Sequence, residues 1–373
     1  MNRLKRTTGA LMLMFVTVAV ISATTLADSA KDSALSNKQM TSDNDAVKKL
    51  SMWSPGPRLA GYEMIEKYGA PQEVTDERMI WHNAGPFKRI LLTREQRPHH
   101  FPIVHMDYLQ HTISYDVPAN KADEVLAFDG AISIYRVGGE LSARCDLESN
   151  NVLTLNLAHE IIEGDKSVEQ ARKEFGEAVM ARTTAKSPAI TAELQFKPQA
   201  PKVAADTDTV SIPGAPRPEA AEGESVGPDA ETLALLIASD MDEVHAAMIA
   251  KNKEVADPIL DYARTMHESH GKHIKATVAL GLNSNVTPVV TKNVSELREK
   301  HAAALAEIVM LDGDAFGHAY IDLMVKAHSN ALNLIEKRIT MTKNEEVKSH
   351  LTETRKTITM HLQQAKDLQS NAT

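Results

Sequence analysis

The sequence predicts two folded domains of different class: an α+β domain over residues 51–185 and an all-α helical bundle over residues 229–370. Three observations carry this expectation. A Pro- and Ala-rich stretch over 186–228 divides the chain. The residues before it mix strand-like and helix-like periods. Those after it form long amphipathic runs with short polar links, the pattern of an antiparallel bundle. A length of 373 residues leaves room for two domains, each with its own core. Aromatic residues at 4% and a methionine count of 16 suit helices packed on helices better than a large β-sandwich.

The first element is a targeting segment. A short basic run, MNRLKR, precedes an uncharged, mostly apolar stretch from Thr7 to Ala27 that ends Ala23-Thr-Thr-Leu-Ala27. A basic start, an apolar middle and a small-residue end predict a secretory signal peptide over 1–27, cut after Ala27. A retained anchor is the alternative, since the uncharged stretch is just long enough to span a bilayer. No cysteine follows it, so a lipoprotein anchor is excluded. Cleavage removes Arg3, Lys5 and Arg6 and takes the formal charge from −9 to −12. With no later apolar stretch long enough to span a membrane, the mature chain is expected to be exported and periplasmic. Its acidity argues against nucleic acid as a partner; an envelope protein is the partner class that location suggests. Cys145, the single cysteine, excludes an intrachain disulfide. It reads as a buried small hydrophobe in GGELSARCDLE, without the helix-start or basic setting of a catalytic thiolate.

Residues 28–50, rich in Ser, Asp, Asn and Lys, are expected to be a disordered leader. Leu59–Tyr68 then looks helical, closed by Gly69 and Pro71. Arg78–His82 and Phe87–Thr93 flank Asn83-Ala-Gly-Pro86 as a hairpin. His111–Val117 and Ala131–Val137 alternate like strands, and Gly138-Gly139 turns into Glu140–Cys145. Val152–Glu163 fits strand or helix. Ser167 caps a helix to about Ala181, with Glu169 and Gln170 in its first turn. Six prolines between Pro198 and Pro228 make the divider an extended tether.

In the bundle, helices are expected over about 228–252, 254–280 (closed by Gly281), 295–311, 314–342 (opened by Asp312-Gly-Asp314) and 345–369. At about 100° per residue, Val255, Ile259, Tyr262, Ala263, Met266 and Thr277 form one stripe, with His270 within about 10° of its centre. His267 and His273 sit about 60° to either side. His328 lies within the stripe of Phe316, Tyr320, Met324 and Ile335, and His361 flanks that of Val347, Leu351, Ile358 and Ala365. On the first helix Glu243 and His245 stand at the edge of a Leu233/Ile237/Met241/Val244/Met248 face. Three helices thus each turn a histidine inward. With a carboxylate such as Glu243, His270, His328 and His361 would suit zinc, copper or iron by ligand type. The other reading is that each ring satisfies a neighbouring polar group in the core. Glu-x-x-His pairs of the di-iron kind are absent: Glu243, Glu268, Glu299, Glu336 and Glu346 have no histidine three residues on. His301, His318 and His350 are expected to face solvent.

Several of these residues carry a resemblance. They are Asp240-Met-Asp-Glu243; Tyr262-Ala-x-x-Met266-x-x-x-His270-x-Lys272; Asp314-Ala-Phe316-x-x-x-Tyr320-Ile-Asp-x-Met324-Val-x-x-His328; and His361-Leu-x-x-Ala365-Lys. Through them residues 229–370 resemble an exported bacterial helical domain of unknown function, family 4142, often described as "predicted outer membrane protein". The resemblance implies a ferritin-like fold and an envelope location, with no established activity. Ala327 departs from the aspartate usual before the histidine in that family, which removes one expected support for His328. No β-barrel pattern accompanies the description.

A second cluster, His99-His-Phe-Pro102-Ile-Val-His105-Met-Asp107-Tyr-Leu-Gln-His111, puts four histidines and an aspartate within thirteen positions. In an extended strand His105, Asp107 and His111 share a face, as a metal site, an acid–base pair or a solvated polar edge. His159-Glu160 is a minor candidate. No nucleophile elbow, phosphate loop, His-Glu-x-x-His or dinucleotide fingerprint is present. The sequence therefore predicts an exported binding or envelope-stress module without catalysis, with a metal site in the bundle. The alternative is a metal-dependent enzyme using the bundle histidines or the His99–His111 cluster.

Overall fold

The computed structural model describes residues 45–183, 188–200, 210–218 and 225–371. The expected signal peptide and residues 28–44 lie outside them. The chain divides into two compact units between Thr207 and Asp208.

The first unit is α+β. Its six-stranded antiparallel sheet runs β1 (Glu73–Val74), β2 (Arg78–Ala84), β3 (Phe87–His99), β4 (His105–Ser114), β6 (Glu140–Cys145) and β5 (Ile132–Tyr135) in spatial order. Helix α1 (Pro55–Tyr68) packs on β3 and β4. It begins with proline, which loses nothing at a helix start, and ends at Gly69, whose φ of 78° needs a residue without Cβ. Asn83 and Gly85 take positive φ at the β2–β3 hairpin, as that turn chemistry demands. Helices α2 (Ala122–Phe128), α3 (Glu148–Glu163) and α4 (Val168–Thr183) complete the unit. α4 opens with a capping box: Ser167 Oγ accepts from Gln170 N–H, and Gln170 Oε1 accepts from Ser167 N–H.

α3 resolves the strand-or-helix ambiguity. Every residue from Asn150 to Ala158 is buried, so no polar face was there to reveal the helical period. Its buried asparagines donate to neighbouring elements. Asn151 donates to Leu109 O at 2.8 Å and to His111 Nδ1 at 2.9 Å. Asn156 donates to Ile190 O and Glu193 O and accepts from Gln195 N–H.

Several expectations are corrected here. Residues 45–50 are helical, with Ala46 and Leu50 fully buried in the core, so the leader reaches at most residue 44. The β4 strand starts at His105, six residues before the expected position, because β3 runs on to His99 and gives it a partner. The segment 188–200 is no free tether. It is held by Asn156 and by the Gln199 pairing with Ser114 and Asp116, and it packs Ile190, Leu194 and Phe196 against the core. Those apolar anchors were hidden among prolines and alanines. Residues 201–209 and 219–224 of the expected tether lie outside the described residues.

Among the described residues the second unit is all-helical apart from a two-residue parallel pair, β7 (Arg217–Pro218) with β8 (Val289–Val290). Its helices are α5 (Pro228–Ala250), α6 (Asp257–Asn283), α7 (Lys292–Ile308), α8 (Gly313–Met341) and α9 (Glu345–Asn371). Asp312 caps α8 by accepting from Gly313 N–H. Gly281 does not end α6, which runs two residues further. It is needed instead where Val286 O passes 3.0 Å from the place a Cβ would occupy. On α5 the inner face of the second half is Asp240, Glu243, Ala246, Ala247 and Ala250, while Met241 and Met248 face outward. The expected methionine face is therefore wrong there: alanines let neighbouring helices approach closely, and Asp240 is buried against partners on another helix.

The apolar core of the bundle is interrupted. One cluster holds Ala246, Met266, Tyr320, Met324 and Ala365; another holds Leu236, Ile335, Leu351 and Ile358. Between them, on α5, α6, α8 and α9, lie Asp240, Glu243, His270, His328 and His361, all buried.

His111 supplies a stability prediction for the first unit. Its ring packs on Phe87 at 4.4 Å between centroids. Because Asn151 donates to Nδ1, the proton sits on Nε2, which faces Glu148 Oε1 at 3.9 Å. Burial, aided by the Lys67 charge, pushes the imidazole down to about 3. The unfolded chain takes up this proton near pH 6.5 and the folded one resists it. Stability from this group is thus complete above pH 6.5 and lost as pH falls towards 3. Melting temperature measured from pH 7 to 4 is expected to fall less in His111→Gln than in the parent.

Candidate metal centre

The polar layer of the bundle is built around Asp240. Its Oδ1 accepts from His270 Nδ1 at 2.7 Å and its Oδ2 from His273 Nδ1 at 2.6 Å. Three residues apart on α6, these histidines lie on one face and reach one carboxylate. His273 Nε2 in turn meets Thr354 Oγ1 at 2.7 Å on α9. With Nδ1–H committed to Asp240, His270 presents Nε2 inward. On α8, His328 Nδ1 donates to Met324 O at 2.8 Å, which leaves its Nε2 inward as well. That backbone carbonyl supplies the support that Ala327 cannot. On α9, the backbone at His361 is held by Tyr262, whose hydroxyl donates to His361 O at 3.3 Å.

The three rings converge. Centroids are 5.7 Å apart for His270–His328, 5.1 Å for His270–His361 and 5.5 Å for His328–His361. One ring nitrogen from each lies within 4.8 Å of the others. His270 Nε2, His328 Nε2 and His361 Nδ1 are all buried and have no hydrogen-bond partner. The same holds for Glu243 Oε2 and Tyr320 Oη. Native cores satisfy nearly all buried polar atoms, so five unpartnered ones in one layer need a reason. A metal ion answers the three nitrogens and the carboxylate together. The donors fit such an ion in type, and two carry the hydrogen-bonded support on the far ring nitrogen that metal-bound imidazoles show.

The electrostatics keep two rings neutral. Burial, with the neighbouring His270 charge, lowers His328. Burial and the charges of His270 and His328 push His361 down to about 3. Burial opposes protonation of His270 too, but the Asp240 hydrogen bond and the Glu243 and Asp240 charges outweigh it and raise this imidazole. Asp240 is lowered: the His270 and His273 hydrogen bonds overcome desolvation. Tyr262 and Tyr320 are raised, by burial first and by the Glu243 charge second.

Glu243, named from the sequence as fourth donor, lines a cavity of about 20 Å³ with His270 and His328 but lies outside the mutually close set of three. That volume is about what one water or ion needs. On its other side Glu243 lines a second cavity, of about 310 Å³, walled mostly by Ala246, Ile249, Leu305, Leu323 and Met324.

Other histidines depart from expectation. His350 is half-buried: its ring stacks on His273 at 4.7 Å and its Nε2 meets Thr277 Oγ1. His301 bonds Asp242 at 2.8 Å, and His318 is exposed as expected. Asp240, His273 and Tyr320 are the residues that sequence reasoning passed over. The available signal was the spacing Asp240/Glu243 against His270/His273, one turn apart on each helix.

In the first unit His105 and Asp107 meet, with Nε2 and Oδ1 3.0 Å apart. His111 does not join them, because Leu109 separates it along β4 and its ring is taken by Asn151 and Phe87. His99 takes the place expected for His111. Cys145 is buried as expected, but three residues before the start of α3 and 3.1 Å from His105 Nε2, a setting the sequence did not disclose. His159 is engaged by Tyr115 and stacked on Phe196.

The fold and site thus define a two-unit protein: an antiparallel-sheet unit followed by a helical bundle with a histidine-rich polar layer. Residues 214–368, which contain that layer, match the family described as "Domain of unknown function (DUF4142)"; the C-terminal half of the chain resembles that family. The N-terminal unit lies outside the match. No curated protein matches the chain. Among solved structures, one described as "putative secreted protein DUF305 from Streptomyces coelicolor" is similar at 11% identity and a TM-score of 0.35. The likeness covers 39% of this chain and 94% of that one and is too slight to argue from.

Asp240 is the test of how the layer is held together. Asp240→Leu removes the acceptor of two histidine N–H groups in a dry setting. Breaking a buried ion pair from one side costs about 3 kcal/mol or more. Denaturant unfolding is expected to show a loss of that size, against less than about 1 kcal/mol for a substitution at exposed His318.

Proposed function

We propose that the C-terminal bundle holds one first-row transition-metal ion between His270, His328 and His361, with Glu243 as the fourth donor, in an exported protein that binds rather than transforms its ligand. The observation that carries this reading is the convergence of three buried, unpartnered imidazole nitrogens from three helices. Three imidazoles and a carboxylate suit zinc, copper or iron. The ion, when bound, supplies a positive charge that the unpartnered nitrogens and Glu243 Oε2 would meet. His270 is positioned for it by Asp240 and His328 by Met324 O. Export is proposed from the N-terminal pattern through Ala27, and an envelope setting follows from it.

A metal-dependent enzyme is the second reading. It is favoured by the 310 Å³ cavity, which shares Glu243 with the histidine layer and is within the size range of small-molecule sites. Its apolar walls fit a small apolar molecule.

Elemental analysis of protein purified without an affinity tag tests the first reading. The parent is expected to carry one more equivalent of metal per chain than His328→Ala/His361→Ala, and chelator is expected to lower the parent's melting temperature. Asp240→Asn should weaken uptake about 10- to 100-fold. Acidification below about pH 6 should release the ion, because protons compete for imidazole. Equal metal content in parent and double variant, with melting unmoved by chelator, overturns the proposal. N-terminal sequencing of the exported protein is expected to begin at Asp28.

A further inference from the structure

The first unit contains a second convergence of donors, independent of the bundle. A register shift between Leu92 and Arg97 sets His99 directly opposite His105 across the β3–β4 ladder. Asp107 follows His105 by two positions and so shares its face. β6, the next strand in the sheet, ends at Cys145, opposite Leu109. The residues form two overlapping groups that share His105: His99, His105 and Asp107, and His105, Cys145 and Asp146, each with its donor atoms within 4.8 Å of one another. The Cys145 thiol donates to Asp146 Oδ1 at 3.2 Å.

The geometry there is tight. Cys145 Sγ is 3.1 Å and Asp107 Oδ1 3.0 Å from His105 Nε2, and Asp107 Oδ2 is 3.3 Å from His99 Nδ1. Asp107 Oδ1 and His99 Nδ1 are both buried without a well-formed hydrogen bond among the described residues. Asp107 is only 6% exposed. Outer contacts orient the donors. His105 Nδ1 donates to Ile103 O at 2.8 Å, which leaves Nε2 facing Asp107 and Cys145. Asp129 Oδ1 lies 3.4 Å from His99 Nε2, and Asn150 donates to Cys145 Sγ at 3.3 Å. Each is the kind of support that fixes a metal ligand's orientation.

We infer that the two groups close on one zinc-like divalent cation at their shared His105, with the Cys145 thiolate, the His99 and His105 imidazoles and the Asp107 carboxylate as donors. Two nitrogens, one sulfur and one oxygen are a tetrahedral set of the borderline-soft type that zinc takes. Binding exchanges the thiol S–H for a sulfur–metal bond and the N–H of His105 Nε2 for a nitrogen–metal bond, and the protons leave to solvent. No element is oxidised or reduced. His99 keeps about one-fifth of its side chain exposed, which gives the cation a way in.

Cobalt(II) is the probe, because only a thiolate ligand gives it an intense sulfur-to-metal charge-transfer band, and the bundle layer has no sulfur donor. The full chain titrated with cobalt(II) is expected to develop that band at one equivalent, and zinc(II) to abolish it. Cys145→Ser should lose the band, while His328→Ala/His361→Ala should keep it, so this site and the bundle site fail separately. As a check on the unmutated chain, zinc(II) is expected to slow alkylation of Cys145 at least tenfold. A cobalt-loaded parent without the band, or alkylation unaffected by zinc(II), overturns the inference. So does a proton found resident on His105 Nε2 by NMR with zinc(II) present.

Discussion

The second unit depends on how one buried negative charge is accommodated. Taking Asp240 out of water costs several kcal/mol, and the cost is offset only by well-placed partners. Both of its oxygens have one, and both partners come from α6. His273 then passes the connection to Thr354 on α9. This chain of bonds fixes the axial position of three helices at once, which apolar contacts alone would leave free to slide. The histidine convergence follows from it: with α5, α6 and α9 locked in height, His270 and His361 must meet, and α8 brings His328 to the same level.

The layer also separates two apolar clusters that would otherwise be one continuous core. A purely stabilising design would fill this level with leucine. Polar residues here cost stability unless satisfied, and five polar atoms of the layer have no hydrogen-bond partner among the described residues. That imbalance, more than the presence of histidine as such, distinguishes a site from a wet core. His159 shows the contrast: also an imidazole, it is bonded to Tyr115 through Nδ1 and stacked on Phe196, with no group of convergent donors beside it among the described residues.

Much of this was legible in the sequence, and the gaps have physical causes. The helical period on α6, α8 and α9 places His270, His328 and His361 inward because their apolar stripes are clean. The same method misplaced α5, where large methionines point out and alanines and acids point in. Hydrophobicity there ranks residues by side chain, whereas burial was decided by close helix approach and by partners thirty residues away. The hairpin of β2 and β3 was legible from its turn residues. The pairing of His99 with His105 was not, since it rests on a register shift that no local pattern encodes. α3 could not be distinguished from a strand because it is enclosed on all sides, and the anchored segment 188–200 was masked by a composition that usually means solvated chain.

The irregularity between Leu92 and Arg97 has an evolutionary consequence. Side chains on a strand alternate, so the number of residues in 93–96 acts as a phase setting for everything downstream of it on β3. A lineage that gained or lost one residue there would turn His99 to the opposite face of the sheet, whereas a change of two would restore it. Relatives that differ in this short stretch should therefore differ in even steps wherever the histidine is retained, and should be free to vary in odd ones where it has gone.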